Sequence, residues 1–268
     1  MLTIITPTFN SAKTIRRNAV SVVNQTYSNF NHIIIDNLSS DETINEVKNV
    51  YENSGYIEKL QILSEKDSGI SEAFNKGIKL ADGDVIGILN SDDYFYDNNV
   101  LKRVVNAFKD EKLLFVHGNI YFDDPVYGSN IRKPILKLLT LGGVFHHPTM
   151  FFRRQVYEKF GLYDLKYKYS MDFEFICRLS KLTGDLDKVS KYIPGEPLVY
   201  MSSNGLSWRY EKETVKAEIQ ALKQHRLWDF NARKIYLIRL LRVQIKEYLK
   251  QLKLESTIKF WRKLKWGQ

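Results

Sequence analysis

Two adjacent carboxylates, Asp92 and Asp93, follow directly after a short apolar run at residues 86–89 that is typical of a buried strand. Ligands of open α/β sheets bind just beyond the carboxyl ends of the strands, which is where this pair falls. Neighbouring carboxylates repel each other unless a cation neutralises them, and their hard oxygens suit Mg²⁺ or Mn²⁺ that carries phosphate groups. A plainer interpretation also fits, because either residue can cap the helix predicted over residues 100–108.

The elements that must position this pair follow from the apolar pattern of the first hundred residues. Strands are predicted at residues 2–10, 32–36, 60–63 and 86–89. Helices are predicted to begin near residues 12, 41 and 72. This alternation of strands and helices implies a mostly parallel sheet that is covered by helices.

Polar side chains follow each predicted strand, at Asn10, Asp36, Asp67 and the Asp92–Asp93 pair. The carboxyl ends of parallel strands share one edge of a sheet, so we expect these side chains to line one cleft. Such a concentration of negative charge favours a cation and a ligand that donates hydrogen bonds. The first loop lacks a Gly-rich dinucleotide fingerprint and the chain has no GxxxxGK[ST] motif, which argues against an ordinary NAD site or a P-loop.

Five stretches carry a resemblance to a known family, in its order and at its spacing: residues 6–10 (TPTFN), 21–27 (SVVNQTY), 35–41 (IDNLSSD), 67–77 (DSGISEAFNKG) and 90–93 (NSDD). They resemble the motifs of the family 2 glycosyltransferases, and the resemblance covers about residues 1–200. It implies the GT-A fold, with a mostly parallel Rossmann-like sheet flanked by helices. It also implies an inverting hexosyl- or N-acetylhexosaminyltransferase that uses a nucleotide-diphosphate sugar, expected to be a UDP-sugar, together with Mn²⁺ or Mg²⁺.

The resemblance assigns the nucleotide sugar to side chains at the strand ends: Thr6, Pro7, Thr8, Asn10, Asp36, Asp67, Ser91 and Asp92. In that scheme Asp36 accepts the imino N–H of the base, and Asp93 binds the metal that bridges the two phosphates. The chain departs from the family pattern at Asn37 and Asn90, where many members have Asp. We therefore carry over only Asp36 from the first of these motifs.

A catalytic base is expected at Asp172, in the first turn of a helix indicated by apolar residues at 173, 176 and 179. The resemblance places the family's base in such an acidic motif. Inversion by direct displacement requires a carboxylate that deprotonates the attacking hydroxyl. Glu174 is the weaker candidate because it points to another face of the helix, and an acid favoured by the helix dipole is the structural alternative for Asp172.

Three further features of the second half of the chain each allow more than one interpretation. The pair Asp123 and Asp124 fits a surface turn better than a second metal site. His146 fits either a residue of the reaction centre, a metal ligand or a structural histidine. The loop at residues 202–208 fits either a segment that closes over the diphosphate or a simple linker.

The composition describes a globular chain of 268 residues with 44% hydrophobic residues and a single cysteine, Cys177. One cysteine cannot form an internal disulfide, so a reducing compartment is expected, and Cys177 fits a small buried apolar side chain. The apolar stretches are shorter than a membrane span, and residues 1–10 lack the features of a signal peptide. We therefore expect a cytoplasmic protein.

Positive charge is concentrated at the end of the chain. Residues 1–204 contain 24 Lys and Arg against 25 Asp and Glu, whereas residues 205–268 contain 16 against 6. We predict a catalytic domain at 1–205, with a nucleotide-sugar half at about 1–100 and an acceptor half at 101–205, followed by a basic amphipathic helical tail at 206–268.

Two helices are predicted in the tail, at residues 211–227 and 232–254, and the second carries an apolar stripe at positions 235, 238, 240/241, 245, 248/249 and 252. The aromatic and basic residues at 258–266 add to a pattern that favours binding in the plane of an anionic membrane. This would place the protein at the inner face of the cytoplasmic membrane. Packing of the tail onto the catalytic domain and a homodimer contact are the alternatives.

The sequence thus predicts a glycosyltransferase that acts on a glycan or a lipid-linked acceptor in surface polysaccharide or glycolipid assembly. A sugar-nucleotide nucleotidyltransferase is the alternative enzyme, but such enzymes usually need a Gly-rich basic loop after the first strand, and residues 6–10 contain no Gly. A nucleic-acid-binding module is the alternative from another class. The basic tail is amphipathic and no nucleic-acid-binding motif is visible, so no nucleic acid partner is expected.

Overall fold

The computed structural model describes residues 1–124, 128–135, 145–202 and 210–252, which form two sheets flanked by helices. The strands are β1 (Leu2–Thr8), β2 (Phe30–Asp36), β3 (Leu60–Ser64), β4 (Val85–Ile88), β5 (Tyr94–Phe95), β6 (Phe115–Gly118), β7 (Ile120–Asp123), β8 (Asn130–Arg132), β9 (Phe151–Arg153), β10 (Ser190–Ile193) and β11 (Val199–Ser202). The helices are α1 (Ile15–Val23), α2 (Thr43–Ser54), α3 (Ile70–Leu80), α4 (Val100–Ala107), α5 (Arg154–Phe160), α6 (Met171–Thr183), α7 (Leu186–Val189), α8 (Glu211–Gln224) and α9 (Phe230–Gln251).

The larger sheet has seven strands in the order β10-β6-β9-β4-β1-β2-β3. Its first four strands along the chain are parallel, with β1 between β2 and β4, and only β9 runs antiparallel to its neighbours among the described strands of this sheet. Every residue of β1 is buried, as expected for a central strand that is covered on both faces. The predicted mostly parallel sheet flanked by helices is confirmed.

A smaller sheet, in the order β5-β11-β7-β8, lies beyond the acidic pair and was not predicted. Its strand β5 directly follows Asp93, and the residue that caps α4 is Asn99. The alternative that Asp92 or Asp93 caps this helix is therefore wrong. The predicted surface turn begins where β7 ends, at Asp123, and the amide of Gly128 donates to the main-chain oxygen of Asp124 at 2.8 Å. The prediction that this turn lies at the surface is wrong for Asp124, which is buried.

Helix α3 lies directly against the central strand because Gly77 has no side chain. A Cβ atom at this glycine would come within 2.3 Å of Cγ2 of Ile5 on β1. Phe74 and Ile78 of the same helix are buried in the adjoining core. The close approach fixes the start of α3, and with it the preceding Asp67 loop, relative to the end of β1.

The two C-terminal helices pack onto α6 and share its core. Val215 and Leu222 of α8 and Tyr236 of α9 are buried in the same apolar cluster as Phe175 of α6. Helix α8 ends three residues before its predicted end, and α9 begins two residues earlier than predicted. The predicted residues 253 and 254 of the second helix lie outside the described residues. The boundary at residue 205 stays a prediction, since shared packing does not define a domain limit.

Candidate functional site

The loops that follow β1, β2 and β4 are joined to one another by hydrogen bonds. The amide of Asn10 donates to Oγ of Ser39 at 2.8 Å, and the amide of Ser40 donates to Oδ1 of Asn10 at 2.9 Å. The hydroxyls of Ser11 and Ser91 lie 2.9 Å apart. These contacts connect the Asp36 loop, the first loop and the acidic motif, so the strand ends form one continuous site.

Asp36 lies at the end of β2 with 1% of its surface exposed. Its carboxylate accepts hydrogen bonds from the hydroxyls of Ser39 at 2.5 Å and Ser64 at 2.6 Å, and from the amide of Ser39 at 3.1 Å. A buried carboxylate with several short hydrogen bonds has a fixed orientation. The loops after β2 and β3 thus both hold Asp36 in place.

The predicted nucleotide-binding residues of the first loop differ in their exposure to solvent. Thr6, Pro7 and Thr8 are buried within β1, and the hydroxyl of Thr8 has no hydrogen-bond partner among the described residues. Asn10 is exposed and has a positive φ of 48°, which an asparagine tolerates better than most residues. The accessible part of this loop therefore begins after β1 ends.

Asp67 follows β3 and is half-buried, and burial raises the pKa of its carboxyl, with a hydrogen bond from the amide of Gly69 acting against that rise. Its own amide donates to Oδ1 of Asn37 at 2.8 Å. Asn37 is one of the two departures from the family motif. In this chain its side chain attaches the Asp67 loop to the loop that carries Asp36.

The acidic motif holds one half-buried and one buried carboxylate. Asp92 is half-buried, whereas Asp93 is 2% exposed and accepts a hydrogen bond from the side-chain amide of Asn90 at 3.0 Å. Burial and the adjacent charge of Asp92 raise the pKa of Asp93 well above its usual value, and hydrogen bonds from Asn90 and the Ser202 main chain act against this rise. Removal of this charge from water is costly unless a positive charge lies beside it.

A divalent cation fits the carboxylate oxygens of this motif when the phosphates of a bound molecule supply the remaining oxygen ligands. Within the described ranges, no group of three or more His, Cys, Asp or Glu side chains could hold a metal ion alone. Asp93 with its neighbour Asp92 offers the hard oxygens that Mg²⁺ and Mn²⁺ prefer. Mg²⁺ in particular is often held by one or two carboxylates together with the phosphates of a bound nucleotide.

A buried chain of hydrogen bonds leads from helix α2 to the acidic motif. Tyr51 of α2 contacts Nδ1 of His32 at 2.6 Å, Nε2 of His32 contacts the Thr6 hydroxyl at 2.8 Å, and this hydroxyl donates to Asn18 at 3.4 Å. The amide of Asn18 then donates to the main-chain oxygens of Asn90 at 2.9 Å and of Asp93 at 3.1 Å.

Sequence reasoning missed Asn18, although a signal was present. Asn18 falls within the apolar stripe of α1, three residues after Ile15 and one before Ala19, and it is 1% exposed. A polar side chain on the buried face of a helix requires partners in the interior. Those partners, more than seventy residues away along the chain, are visible only in the structure.

Asp172 lies in the first turn of α6, as predicted, and is half-buried. The preceding Ser170 has a positive φ of 55°, and its hydroxyl donates to the main-chain oxygen of Thr214 on α8. The neighbouring charge of Asp172 opposes the lowering of the pKa of His147 that burial causes. The ring of His147 contacts the Tyr163 hydroxyl at 3.1 Å.

Glu174 has a structural environment that sets it apart from Asp172. It is 1% exposed, and its carboxylate forms an ion pair with Arg178 at 2.9 Å and contacts Nε2 of His225 at 2.8 Å. Arg178 also donates to the main-chain oxygens of Phe160 and Leu162. A carboxylate that is buried and already paired is poorly placed to accept a proton from a substrate, so Asp172 stays the candidate base.

Helix α3 connects the loop of Asp67 to the segment that leads into α6. Ser71 donates to the main-chain oxygen of Tyr167 at 2.9 Å. Asn75 donates to the oxygen of Tyr163 at 2.8 Å and accepts from its amide at 3.0 Å. The positions of Asp67 and Asp172 are therefore coupled through one helix, which packs on β1.

A family model, Glycosyl transferase family 2, matches residues 3–172, a span that begins in β1 and ends at Asp172. The chain belongs to glycosyltransferase family 2. A PGL/p-HBAD biosynthesis glycosyltransferase of Mycobacterium tuberculosis is 30% identical over 181 residues, which cover 66% of this chain and 69% of that protein. An uncharacterized glycosyltransferase of Haemophilus influenzae is 31% identical over 132 residues, covering 49% of this chain and 51% of that protein. The protein is thus a glycosyltransferase.

Solved structures of similar fold support the GT-A prediction. S. aureus TarS 1–349 in complex with UDP-GlcNAc superposes with a TM-score of 0.66 at 17% identity, covering 90% of this chain and 71% of that chain. The mannosyltransferase PcManGT from Pyrobaculum calidifontis, in complex with GDP-Man and Mn²⁺, gives a TM-score of 0.66 at 15% identity, covering 89% of this chain and 68% of that chain. This glycosyltransferase therefore has a GT-A-like fold with a mixed sheet flanked by helices.

Two other sequence predictions have partial structural counterparts in this glycosyltransferase. His146 precedes a short 3₁₀ turn, His147–Thr149, and burial lowers the pKa of its ring to about 3, with further lowering by the charges of Arg132 and His117. Its Nε2 atom is buried and has no hydrogen-bond partner among the described residues. The role of His146 stays a prediction. Residues 203–208 of the predicted closing loop at 202–208 lie outside the described residues.

Proposed function

We propose that this family 2 glycosyltransferase moves a sugar from a nucleotide-diphosphate sugar to a hydroxyl of a glycan or lipid-linked acceptor, with inversion at the anomeric carbon. The observation that carries the proposal is the hydrogen-bonded continuity between the Asp36 loop, the first loop and the buried acidic motif. One site can thereby hold both ends of a nucleotide diphosphate. A UDP-sugar is the proposed donor.

The donor nucleotide is proposed to lie along the ends of β1, β2 and β3. Asp36 is held by three donors, which leaves its carboxylate oriented to accept the imino N–H of a base such as uracil. The Asp67 loop, attached to Asn37, borders the same pocket. The complexes of TarS with UDP-GlcNAc and of PcManGT with GDP-Man support a nucleotide-sugar donor without deciding between the bases.

The diphosphate is proposed to lie at Asp92 and Asp93. Asp93 would hold a divalent cation there, and when bound this cation neutralises the charge that grows on the leaving diphosphate. The hydroxyl of Ser91, 2.9 Å from that of Ser11, is placed at the entrance to the motif. The Mn²⁺ in the PcManGT complex supports this proposal.

Asp172 is proposed as the general base of a single displacement. The acceptor oxygen forms a bond to the anomeric carbon from the face opposite the diphosphate, the bond from that carbon to the phosphate oxygen breaks, and the acceptor proton passes to the Asp172 carboxylate. Asp172 is suited to this because it is half-exposed at a helix N-terminus, where the dipole favours its ionised form. Glu174, fully paired to Arg178 and His225, is not available for the same step.

The proposed setting is the assembly of a surface polysaccharide or glycolipid on the cytoplasmic side of a membrane. The name of the mycobacterial relative connects that protein with PGL/p-HBAD biosynthesis, which supports an assembly role. The single cysteine, Cys177, is buried and free, which supports a reducing compartment.

Calorimetric titration of UDP, GDP and dTDP, each with and without Mn²⁺, tests the donor site. We expect UDP to bind most tightly, Mn²⁺ to strengthen its binding by at least about tenfold, and Asp93→Asn to abolish this gain. Asp172→Asn is the matched control, because it should keep the affinity for UDP with Mn²⁺ and lose sugar transfer. Equal binding of all three nucleotides without any effect of Mn²⁺ would refute the proposed donor site.

A further inference from the structure

Helix α9 has apolar side chains on two opposite faces. Its inner face, with Ala232, Tyr236 and Val243, is buried against α6 and α8. Its outer face carries six large apolar side chains that are 38% to 78% exposed, and Leu252, directly after the helix, continues the row: Phe230, Leu237, Ile238, Leu241, Ile245, Tyr248 and Leu252. The three- and four-residue steps between positions 238 and 252 align these side chains along one side of the helix.

An outer apolar face of this size requires a partner. Exposed Leu and Ile side chains are ordinary when they are scattered, but a contiguous row along a helix marks an interaction surface. The inner face already supplies the packing that attaches α9 to the core, so the outer residues are not needed for that contact. The row extends over most of a helix of 22 residues, which is about 33 Å long.

The charge on α9 identifies the partner. The helix contains six Lys and Arg residues and a single acid, Glu247. Arg233, Lys234 and Arg242 are exposed, whereas Arg239 and Lys246 form ion pairs with Glu218 and Glu211 of α8 on the inner side. The exposed cations thus accompany the apolar row.

We propose that the outer face of α9 binds in the plane of an anionic lipid membrane, with its apolar row at the acyl boundary and its exposed cations at the headgroups. A second copy of the chain fits less well, since pairing two such faces would bring like charges together in an apolar contact. Across the described ranges, no helix has the length and apolarity needed to cross a bilayer, so the proposed helix lies on the surface.

Flotation of the full chain with lipid vesicles tests the proposal without any donor or acceptor, so its result is independent of the proposed function. Vesicles of phosphatidylcholine alone are compared with vesicles that also contain phosphatidylglycerol. The test variant is Leu241→Gln with Ile245→Gln. The matched control is Leu165→Gln with Leu182→Gln, two leucines that are 57% and 60% exposed outside α9. Thermal melts of both variants check that they fold.

We expect the wild-type chain to bind the anionic vesicles and the control to bind equally well. The test variant should bind about a hundredfold less, since each apolar side chain withdrawn from water contributes about tenfold. Arg233→Gln with Arg242→Gln should bind more weakly by about fivefold for each cation and with a smaller dependence on salt.

Two results would overturn the proposal. The first is equal vesicle binding by the wild type and the Leu241/Ile245 variant. The second is a wild-type chain that ignores vesicles but sediments as a dimer, with the dimer lost in that variant. The latter result would assign the outer face of α9 to a second copy of the chain.

Discussion

Replacement of Asn18 by leucine tests whether this residue orients the acidic motif in addition to stabilising the fold. Asn18 is 1% exposed, and its side-chain amide donates to the main-chain oxygens of Asn90 at 2.9 Å and Asp93 at 3.1 Å. Leucine has a similar size and no polar atoms, so Asn18→Leu should keep the packing of α1 and remove these two hydrogen bonds together with the longer one from the Thr6 hydroxyl. The segment that carries Asp92 and Asp93 then loses its hydrogen bonds to Asn18, while the amide of Phe95 keeps its bond to the Ser21 hydroxyl of α1 at 3.1 Å.

The expected loss of stability follows from the partners that remain. A buried carbonyl left without a hydrogen bond costs about 1–3 kcal/mol. The oxygen of Asn90 keeps the amide of Asp93 as a donor at 3.0 Å, which reduces the cost at that atom. We therefore expect Asn18→Leu to lower the free energy of unfolding by about 2–4 kcal/mol. A protein of this size should then melt about 5–15 °C lower.

The effect on function should exceed what this loss of stability explains. Groups that orient a metal ligand typically change metal affinity by about 10- to 100-fold when they are removed. In Asn18→Leu we therefore expect the strengthening of UDP binding by Mn²⁺ to fall by at least about tenfold, with UDP binding in the absence of Mn²⁺ nearly unchanged. Titration calorimetry well below the melting temperature measures both quantities on the same sample.

Asn75→Leu is the matched control. Asn75 is buried on α3, donates to the main-chain oxygen of Tyr163 at 2.8 Å and accepts from its amide at 3.0 Å. Its replacement removes two buried hydrogen bonds of similar length away from the acidic motif. Asn75→Leu should lower the free energy of unfolding by a comparable amount and leave the Mn²⁺-dependent increase in UDP affinity unchanged. The proposed role of Asn18 is wrong if Asn18→Leu is destabilised but Mn²⁺ still strengthens its binding of UDP as much as in the wild type.

Two further predictions concern His32 and His225. Burial lowers the pKa of His32 to about 3, so its contribution to stability is present above about pH 6.5 and is lost as the pH falls toward 3, at about 1.4 kcal/mol per pH unit. Urea unfolding between about pH 7 and pH 5 should show a weaker pH dependence in His32→Gln than in the wild type, and equal slopes would contradict this. His225→Ala removes a half-buried partner of the buried Glu174 carboxylate, 2.8 Å away, and should lower the free energy of unfolding by about 1–3 kcal/mol. His225→Gln keeps a donor and should lose less; an equal loss in both variants would show that the hydrogen bond contributes nothing.

The fold of the donor half could be predicted from sequence because each element carries its own signal. The runs that became β1, β2 and β4 are apolar and β-branched, β1 and β2 end at a polar residue, and β4 is followed within two residues by Asn90. Parallel strands then bring Asn10, Asp36, Asp67, Asp92 and Asp93 to one edge without any knowledge of contacts. The structure places them there, while their roles stay predictions.

The smaller sheet could not be predicted in the same way. Strand β5 has two residues and β8 has three, which is too short for an alternating pattern to be recognised. Strand β11 pairs with β7 from about eighty residues earlier in the chain. Such long-range pairing depends on the packed structure and leaves no local signal.

In the tail, the apolar stripe was predicted from the sequence, but the neighbour that it faces was not. The predicted stripe at positions 238, 241, 245, 248 and 252 is real, but it lies on the outer face of α9. The inner face depends on Tyr236 and two small residues, Ala232 and Val243, which the periodicity did not single out. Sequence periodicity identifies an apolar face without identifying its neighbour. In α9 one apolar face packs on the core, and the opposite face is the one proposed to bind an outer partner.

The departure at Asn90 changes the charge balance of the acidic motif. An aspartate at this position would place a third carboxylate against Asp93, whose Oδ2 atom accepts the Asn90 amide at 3.0 Å. With asparagine, the motif contains two carboxylates, and the buried one is oriented by a neutral donor. Cation affinity in oxygen sites rises with the number of charged ligands. The proposed cation site would therefore depend more heavily on the phosphates of the donor to complete its charge, and we expect binding of the cation to be coupled to binding of the nucleotide.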